Sequence, residues 1–220
     1  MGRPKKKEKD ISMLIPFKQV IQSHNLNPKN VIHIGAHYGQ EAEDYYANGV
    51  ESSFWIEANP SVMEILESNL KKYPNAYATC ACLSDQIGEV TFNIANNEQS
   101  SSMLDLAYHK VVHKEVEYSG SVQLTTTTLN ALFMDMAIPY DHFDFLNADI
   151  QGAELLMLKG ATHVLPYLKC LYLEVNKQEL YKGCALIGDL DDFLKEYGFE
   201  RKETVWCGDF GWGDAVYIKK

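Results

Sequence analysis

The densest chemical signal in the 220-residue sequence is the stretch VIHIGAHYGQE, residues 31–41. A β-branched run, Val31-Ile32-His33-Ile34, stops at Gly35. Gly35 and Gly39 frame a tight turn, and a helical pattern begins at Glu41. Glycine lets backbone come close to a ligand, and a helix N-terminus offers free N–H groups to an anion. About twenty residues on, Glu57 closes FWIEANP, where a carboxylate can accept both hydroxyls of a nucleoside ribose. Leu83-Ser84-Asp85 ends a third apolar run, where an adenine ring would be gripped. The plainer alternatives are a structural strand–helix turn, a solvent-facing acid and a surface turn.

A nucleoside cofactor accounts for all three features together. The turn reads G-A-H-Y-G, and the His37 side chain would crowd a pyrophosphate that needs close backbone approach. S-adenosylmethionine has no phosphate, and its methionine carboxylate suits the helix N-terminus. Gly35, His37, Gly39, Glu57, Ser84, Asp85 and Ser102 are therefore the candidate cofactor residues. A dinucleotide-dependent oxidoreductase remains an alternative, because it would share Gly35 and Glu57.

Further acids sit where strands should end. Asp149, Glu174 and Asn176 are expected at the carboxyl-terminal rim of a sheet, where ligands of such folds bind. Asp149, beside the glycine turn, is the candidate catalytic base. It could instead orient the cofactor's amine, or join Glu174 and Asn176 as an oxygen ligand of a divalent cation; the working expectation is no metal. His109 and His113 have i, i+4 spacing but lack an acidic partner motif, so solvation is the simpler reading. Tyr108, Tyr118, Trp206 and Trp212 could wall a sugar site or simply pack.

The elements that must hold these residues alternate. Helices are expected at Ile11–Leu26, Glu41–Asn48, after Asn59-Pro60, at Ala153–Lys159 and at Asp189–Tyr197. Strands are expected at residues 31–34, 53–57, 76–83, 143–149, 170–175, 199–206 and 214–218. Asn59 and Pro60 give an N-cap followed by proline at the first helical position, and Gly49, Gly160 and Gly198 stop helices. Such alternation argues for a mostly parallel sheet in an α/β fold. The polar stretch Asn93–Ser121 interrupts the rhythm and is longer than an ordinary connection. It is expected to cover the acceptor site with Ser102 near the cofactor; a surface excursion with a short helix between Leu104 and Lys114 is the alternative.

Five blocks in order resemble the FkbM-type methyltransferases: VIHIGAHYGQ, WIEANP, CLSDQIGEVTF, DFLNADIQGAELLMLKGA, and LEVN…LYKGC…FLKEYGF…WGDAVY. The resemblance implies a Rossmann-like class I methyltransferase fold: a seven-stranded sheet with its last strand antiparallel and helices on both faces. It also implies methyl transfer from S-adenosyl-L-methionine to an oxygen of a sugar, glycan or natural product. The chain departs from the family pattern at His33, where an acid is usual, at His37, where asparagine is usual, and at Gln151, where D-x-E-G-A-E has a glutamate. Glu57, Asp149 and Glu154 are kept, which favours an enzyme over a non-catalytic cofactor-binding module.

Composition sets the outer limits. The net charge is −10, which disfavours a nucleic-acid partner and leaves a small-molecule or glycan acceptor. No apolar run approaches membrane-spanning length, so no membrane insertion is expected. The five cysteines include no CxxC, which points to a reducing cytoplasm rather than a disulfide framework or structural zinc. Residues 1–10 read as a disordered basic tail, and 11–220 as one domain.

Overall fold

The computed structural model describes residues 13–220; the expected basic tail and the first two residues of the expected first helix lie outside them. The central sheet is built from β1 (Asn30–Ile34), β2 (Ser52–Glu57), β3 (Ala76–Cys80), β7 (Phe145–Ala148), β8 (Cys170–Asn176), β9 (Phe199–Trp206) and β10 (Trp212–Lys219). Their order is β3-β2-β1-β7-β8-β10-β9. The strands from β3 to β8 pair in parallel, and β10 lies between β8 and β9, antiparallel to both. The order turns back between β1 and β7, which leaves a crevice at the carboxyl ends of those two strands.

Side chains alternate across each strand and feed two cores. Ile32, Ile34, Phe54, Leu146, Leu171 and Leu173 pack against α5 (Leu129–Asp135), α6 (Glu154–Lys159) and α7 (Ile187–Glu196). Val31, Trp55, Phe145, Tyr172 and Val216 pack on the other face against α1 (Phe17–Ser23), α2 (Ala42–Ala47) and α3 (Met63–Leu70). Leu146 is wholly buried, so its truncation to alanine should cost about 2–5 kcal/mol.

α1 is shorter than the amphipathic pattern suggested. It starts after Pro16, and the residues before it are drawn out to the sheet: Leu14 N–H donates to Asp214 Oδ2 at 2.8 Å and Ile15 N–H to the Tyr172 hydroxyl at 3.0 Å. Asn59 caps a short 3₁₀ turn, Pro60–Val62, that leads into α3; its side-chain oxygen accepts from Ser61 N–H at 3.1 Å.

A second, three-stranded sheet was not foreseen. The third apolar run breaks at Ala81, and Cys82–Leu83 forms β4, which pairs in parallel with β6 (Tyr118–Thr127). β5 (Gly88–Ala95) pairs antiparallel with β6. The ends of the expected covering stretch are thus strand, and the excursion proper is residues 96–117, with a short helix α4 (His109–Val112). It is tied back to the body. Asn93 and Ser102 exchange backbone hydrogen bonds of 2.8 and 3.0 Å, and Ala107 and His109 both donate to Leu180 O. Cys82 and Cys170 are buried as expected of small core residues, whereas Cys80 is exposed.

Candidate active site

Register places Glu57, Gly35, Asp149, Glu174 and Asp214 level with one another, one on each of five neighbouring strands or strand ends. Ile34 is opposite both Ile56 and Ala148, Ala148 is opposite Leu173, and Asp214 is opposite Glu174. Adjacent strands lie about 4.8 Å apart, so the carboxyl-terminal rim carries a row of carboxylates interrupted by the glycine turn. Two adjoining cavities open along it. Gly35, His37, Gln99, Asp149 and Gln151 line both.

The first cavity is an apolar slot with a polar end. Ile34, Ile56, Leu83, Phe92, Met103 and Ile150 form its walls, and Glu57 and Asn59 stand at the end. The Glu57 carboxylate accepts His37 N–H at 2.8 Å and Asn59 N–H at 2.7 Å through different oxygens. Burial pushes its pKa up, against those hydrogen bonds. Asn59 is 2% exposed, and its Nδ2 has no partner in the protein, so a donor in the cavity wall is left for a ligand.

Gly35 has φ +79°, and a Cβ there would stand 1.8 Å from the Asp149 carbonyl oxygen. The close approach that requires this glycine is therefore the neighbouring strand end. Gly39 belongs to the turn but lines neither cavity; a Cβ there would meet Leu66 at 3.0 Å. Ser84 and Asp85 also line neither cavity: Ser84 is buried and Asp85 is exposed. Ser84 Oγ donates to Asp85 Oδ1 at 3.1 Å, while Ala81, Cys82 and Leu83 face the slot. Ser102 is 1% exposed and lines neither cavity. Its Oγ donates to Gln151 O at 2.9 Å, so it pins the excursion to the rim while its neighbours Ser101 and Met103 face the slot.

The second cavity is polar. It is lined by Glu41, Asp149, Glu174 and Asp214, by His33, His37, His109 and His113, and by Tyr172, Tyr181 and Trp212 among others. Gln151 stands at its centre with φ +56°. Its Nε2 donates to Asp149 Oδ1 and to Glu174 Oε2, both at 2.6 Å, and its Oε1 accepts from the Tyr181 hydroxyl. The amide thus separates two carboxylates that a glutamate at this position would crowd with a third. Burial, together with the Asp149 carboxylate beside it, pushes Glu174 well above the usual carboxylate range. Burial also pushes Asp214 up to about 7, although Tyr172 OH and Leu14 N–H donate to it. Just behind the rim, Glu154 Oε1 accepts the Ile150 and Gly152 N–H groups at 2.9 and 3.3 Å, and burial raises it to about 7.

His33 occupies the middle of the sheet. Its ring stacks on Trp55 at 4.6 Å and its Nδ1 meets the Tyr45 hydroxyl at 2.9 Å. Burial lowers its pKa to about 3, so it is neutral at pH 7 and takes no acid's place electrostatically. His109 was read as solvated; it is 4% exposed, lies against Tyr181 and His113, and has an unpartnered Nδ1. The histidine spacing was visible in the sequence, but the packing of the excursion against Leu180 and Tyr181 was not. Asn176 is buried yet lines neither cavity. Of the four aromatic candidates, Trp212 alone is in a cavity wall; Tyr118 OH donates to Leu104 O at 2.6 Å and Tyr108 is exposed.

The residues fit S-adenosylmethionine. The apolar slot accepts a flat ring, and the Glu57 oxygens suit vicinal hydroxyls. No Lys or Arg lines either cavity among the described residues, so a pyrophosphate would find no cation here.

The sequence pattern of the Methyltransferase FkbM domain matches residues 33–201. The chain is 21% identical over 197 residues to the 2-O-methyltransferase NoeI of Sinorhizobium fredii (strain NBRC 101917 / NGR234), covering 86% of this chain and 80% of that protein. The crystal structure of Methyltransferase FkbM from Methylobacillus flagellatus KT superposes with a TM-score of 0.56 at 14% identity. That match covers 87% of this chain and 44% of the other, so this chain spans less than half the length of that relative. Magnesium protoporphyrin IX methyltransferase from Synechocystis PCC 6803, solved with bound S-adenosylmethionine, superposes with a TM-score of 0.53 at 10% identity, covering 92% and 76%. The solved structures establish the Rossmann-like methyltransferase fold. With a domain pattern that spans most of the sequence, the chain belongs to the FkbM methyltransferase family.

Proposed function

We propose that this chain is an O-methyltransferase acting on a hydroxyl of a sugar, glycan or natural-product small molecule, with residues 11–220 as one catalytic domain. The methyl donor is S-adenosyl-L-methionine. The observation that carries the reading is the shared wall: Gly35, His37, Asp149 and Gln151 face both an apolar slot ending in Glu57 and a polar cavity lined from five elements of the fold, β1, α4, β7, β8 and β10. Bound S-adenosylmethionine supplies an electrophilic methyl group on a sulfonium. The chain's own residues do the rest. Glu57 holds the ribose hydroxyls, and Gly35 and His37 shape the turn beside them. Gly39, Ser84 and Ser102 support that wall, and Asp85 accepts the Ser84 hydroxyl.

Asp149 takes the acceptor's hydroxyl proton. A sugar hydroxyl is a poor nucleophile, and a positioned base contributes about 10²–10⁴-fold. Gln151 Nε2 fixes Asp149 Oδ1, which leaves the other carboxylate oxygen to meet the hydroxyl. Orientation of the two reactants supplies more, up to about 7–11 kcal/mol in favourable cases. Glu98, Gln99, Ser101 and Met103 of the excursion face the slot, and Asn97, His109 and His113 face the polar cavity, so residues 96–117 cover both and exclude water.

The 2-O-methyltransferase relative favours oxygen and a sugar ring as acceptor. The acidic net charge argues against a nucleic-acid acceptor, no helix among the described residues is long and apolar enough to cross a membrane, and the free cysteines suit a reducing cytoplasm. The test is transfer of a labelled methyl group to a panel of glycans and extracts, with mass analysis of the product. A panel in which label goes only to nitrogen or carbon would overturn the assignment.

A further inference from the structure

We infer that the acceptor carries a protonated amine close to its reactive hydroxyl, as an amino sugar does, and that Glu174 and Asp214 recognise it. The inference rests on the methyltransferase reading above and narrows its substrate class.

The carboxylate row divides between the two cavities. Glu57 lines the slot and Asp149 the shared wall, whereas Glu174 and Asp214, the next two members outward, line only the polar cavity. That cavity has no Lys or Arg in its wall among the described residues. Three of its four histidines supply no countercharge, because burial lowers His33 to about 3 and His109 to about 4, and lowers His37 as well; the fourth, His113, lies 3.7 Å from its own acid, Glu115. An anionic acceptor would meet acids with nothing opposite them. A cation is the missing partner: brought beside Glu174 and Asp214, it favours their ionised forms and makes charge-assisted hydrogen bonds. A protonated amine is a cation of the size and hydrogen-bonding capacity that two neighbouring carboxyl groups can share.

A second observation points to a ligand in the same cavity. His109 is 4% exposed and its Nδ1 meets no partner in the protein. A neutral imidazole can donate to or accept from a hydroxyl, and His109 lines the same cavity as the two acids. Trp212 and Tyr181 add flat faces suited to a ring.

The experiment is calorimetry on the full chain saturated with S-adenosylhomocysteine, at pH 7, with the methyl glycosides of glucosamine, N-acetylglucosamine and glucuronate. The amine should bind at least about tenfold more tightly than its N-acetyl counterpart, the equivalent of one charge-assisted hydrogen bond, and the uronate should not bind. Glu174→Gln should bring the amine and N-acetyl affinities within about threefold while leaving S-adenosylhomocysteine affinity unchanged. Equal affinities in the unsubstituted protein, binding of the uronate, or a Glu174→Gln effect confined to S-adenosylhomocysteine would overturn the inference and leave the methyltransferase reading standing. Failure of S-adenosylhomocysteine itself to bind would overturn both.

Discussion

Glu57→Gln separates the carboxylate's two duties, and their sizes follow from the geometry. In the native site one oxygen takes His37 N–H at 2.8 Å and the other Asn59 N–H at 2.7 Å. A glutamine oxygen serves one of them, and its NH₂ strands the other, at a cost of about 1–3 kcal/mol. Removing the charge works the other way, since burial opposes ionisation of Glu57. The two offset, so the cofactor-free protein should melt within about 4 °C of the original. Cofactor affinity has no such offset. One ribose hydroxyl exchanges an ionised acceptor for a neutral one and the other meets an NH₂ donor in place of an acceptor, a loss of about 1–1.5 kcal/mol each. Two hydroxyls make about 2–3 kcal/mol, or an S-adenosylhomocysteine Kd roughly 30–150-fold weaker. Calorimetry with a parallel thermal melt reads both quantities. The original protein should also lose affinity as pH falls through the raised Glu57 value, and the variant should not. A Kd within threefold of the original, in a variant that melts normally, would refute the ribose assignment.

Asp149→Asn should leave S-adenosylhomocysteine affinity nearly unchanged and cut turnover by about 10²–10⁴-fold; equal losses in a binding and a single-turnover assay would make Asp149 a cofactor ligand. Gly35→Ala should yield little folded protein, because its Cβ would stand 1.8 Å from the Asp149 carbonyl oxygen and φ is +79°; a normal circular-dichroism melt would contradict that packing. Glu154 has a folded pKa of about 7, above its unfolded value, so its contribution to stability is present below about pH 4.3 and is lost as pH rises towards 7. Glu154→Gln keeps the acceptor oxygen that serves Ile150 and Gly152 and should flatten that loss in urea midpoints measured across the range; an unchanged slope counts against it. Amide exchange in residues 96–117 should slow when S-adenosylhomocysteine and acceptor are added together, and an unchanged rate would mean that the excursion does not close.

The central sheet was legible because its strands are apolar runs between good helix stops, such as Val31–Ile34 before Gly35 and residues 170–175 in the core. The small sheet was not. β5 and β6 alternate exposed threonine, serine, glutamine and glutamate with few buried residues, and a strand without a buried face has the composition of a loop. α5 was overlooked for another reason: LNALFMD is short, and its N-cap, Thr128, follows directly on a strand rich in threonine. At the rim, strand-end logic pointed to Glu57 and Asp149, both of which line a cavity. It named Gly39, Ser84, Asp85 and Ser102 as well, none of which lines either cavity. Asp214 escaped notice as a site residue and His109 was read as solvated, since an antiparallel strand and an excursion bring them to the rim from directions that sequence spacing does not encode.

The bonds from Leu14 to Asp214 and from Ile15 to Tyr172 have a practical meaning for anyone expressing this protein. The two ends of the chain are joined at the floor of the polar cavity, 200 residues apart in sequence. The region that matches the family, 33–201, stops inside β9 and contains neither partner of the Leu14–Asp214 bond. A gene cut to that region would lack β10 altogether, leaving β8 with an open edge prone to pairing with other chains. A cut that removed residues up to 16 alone would spare the sheet but strip Asp214 and the Tyr172 hydroxyl of a donor each. Soluble protein from such a gene would pass a test of folding with the wall of the polar cavity altered at Asp214 and Tyr172.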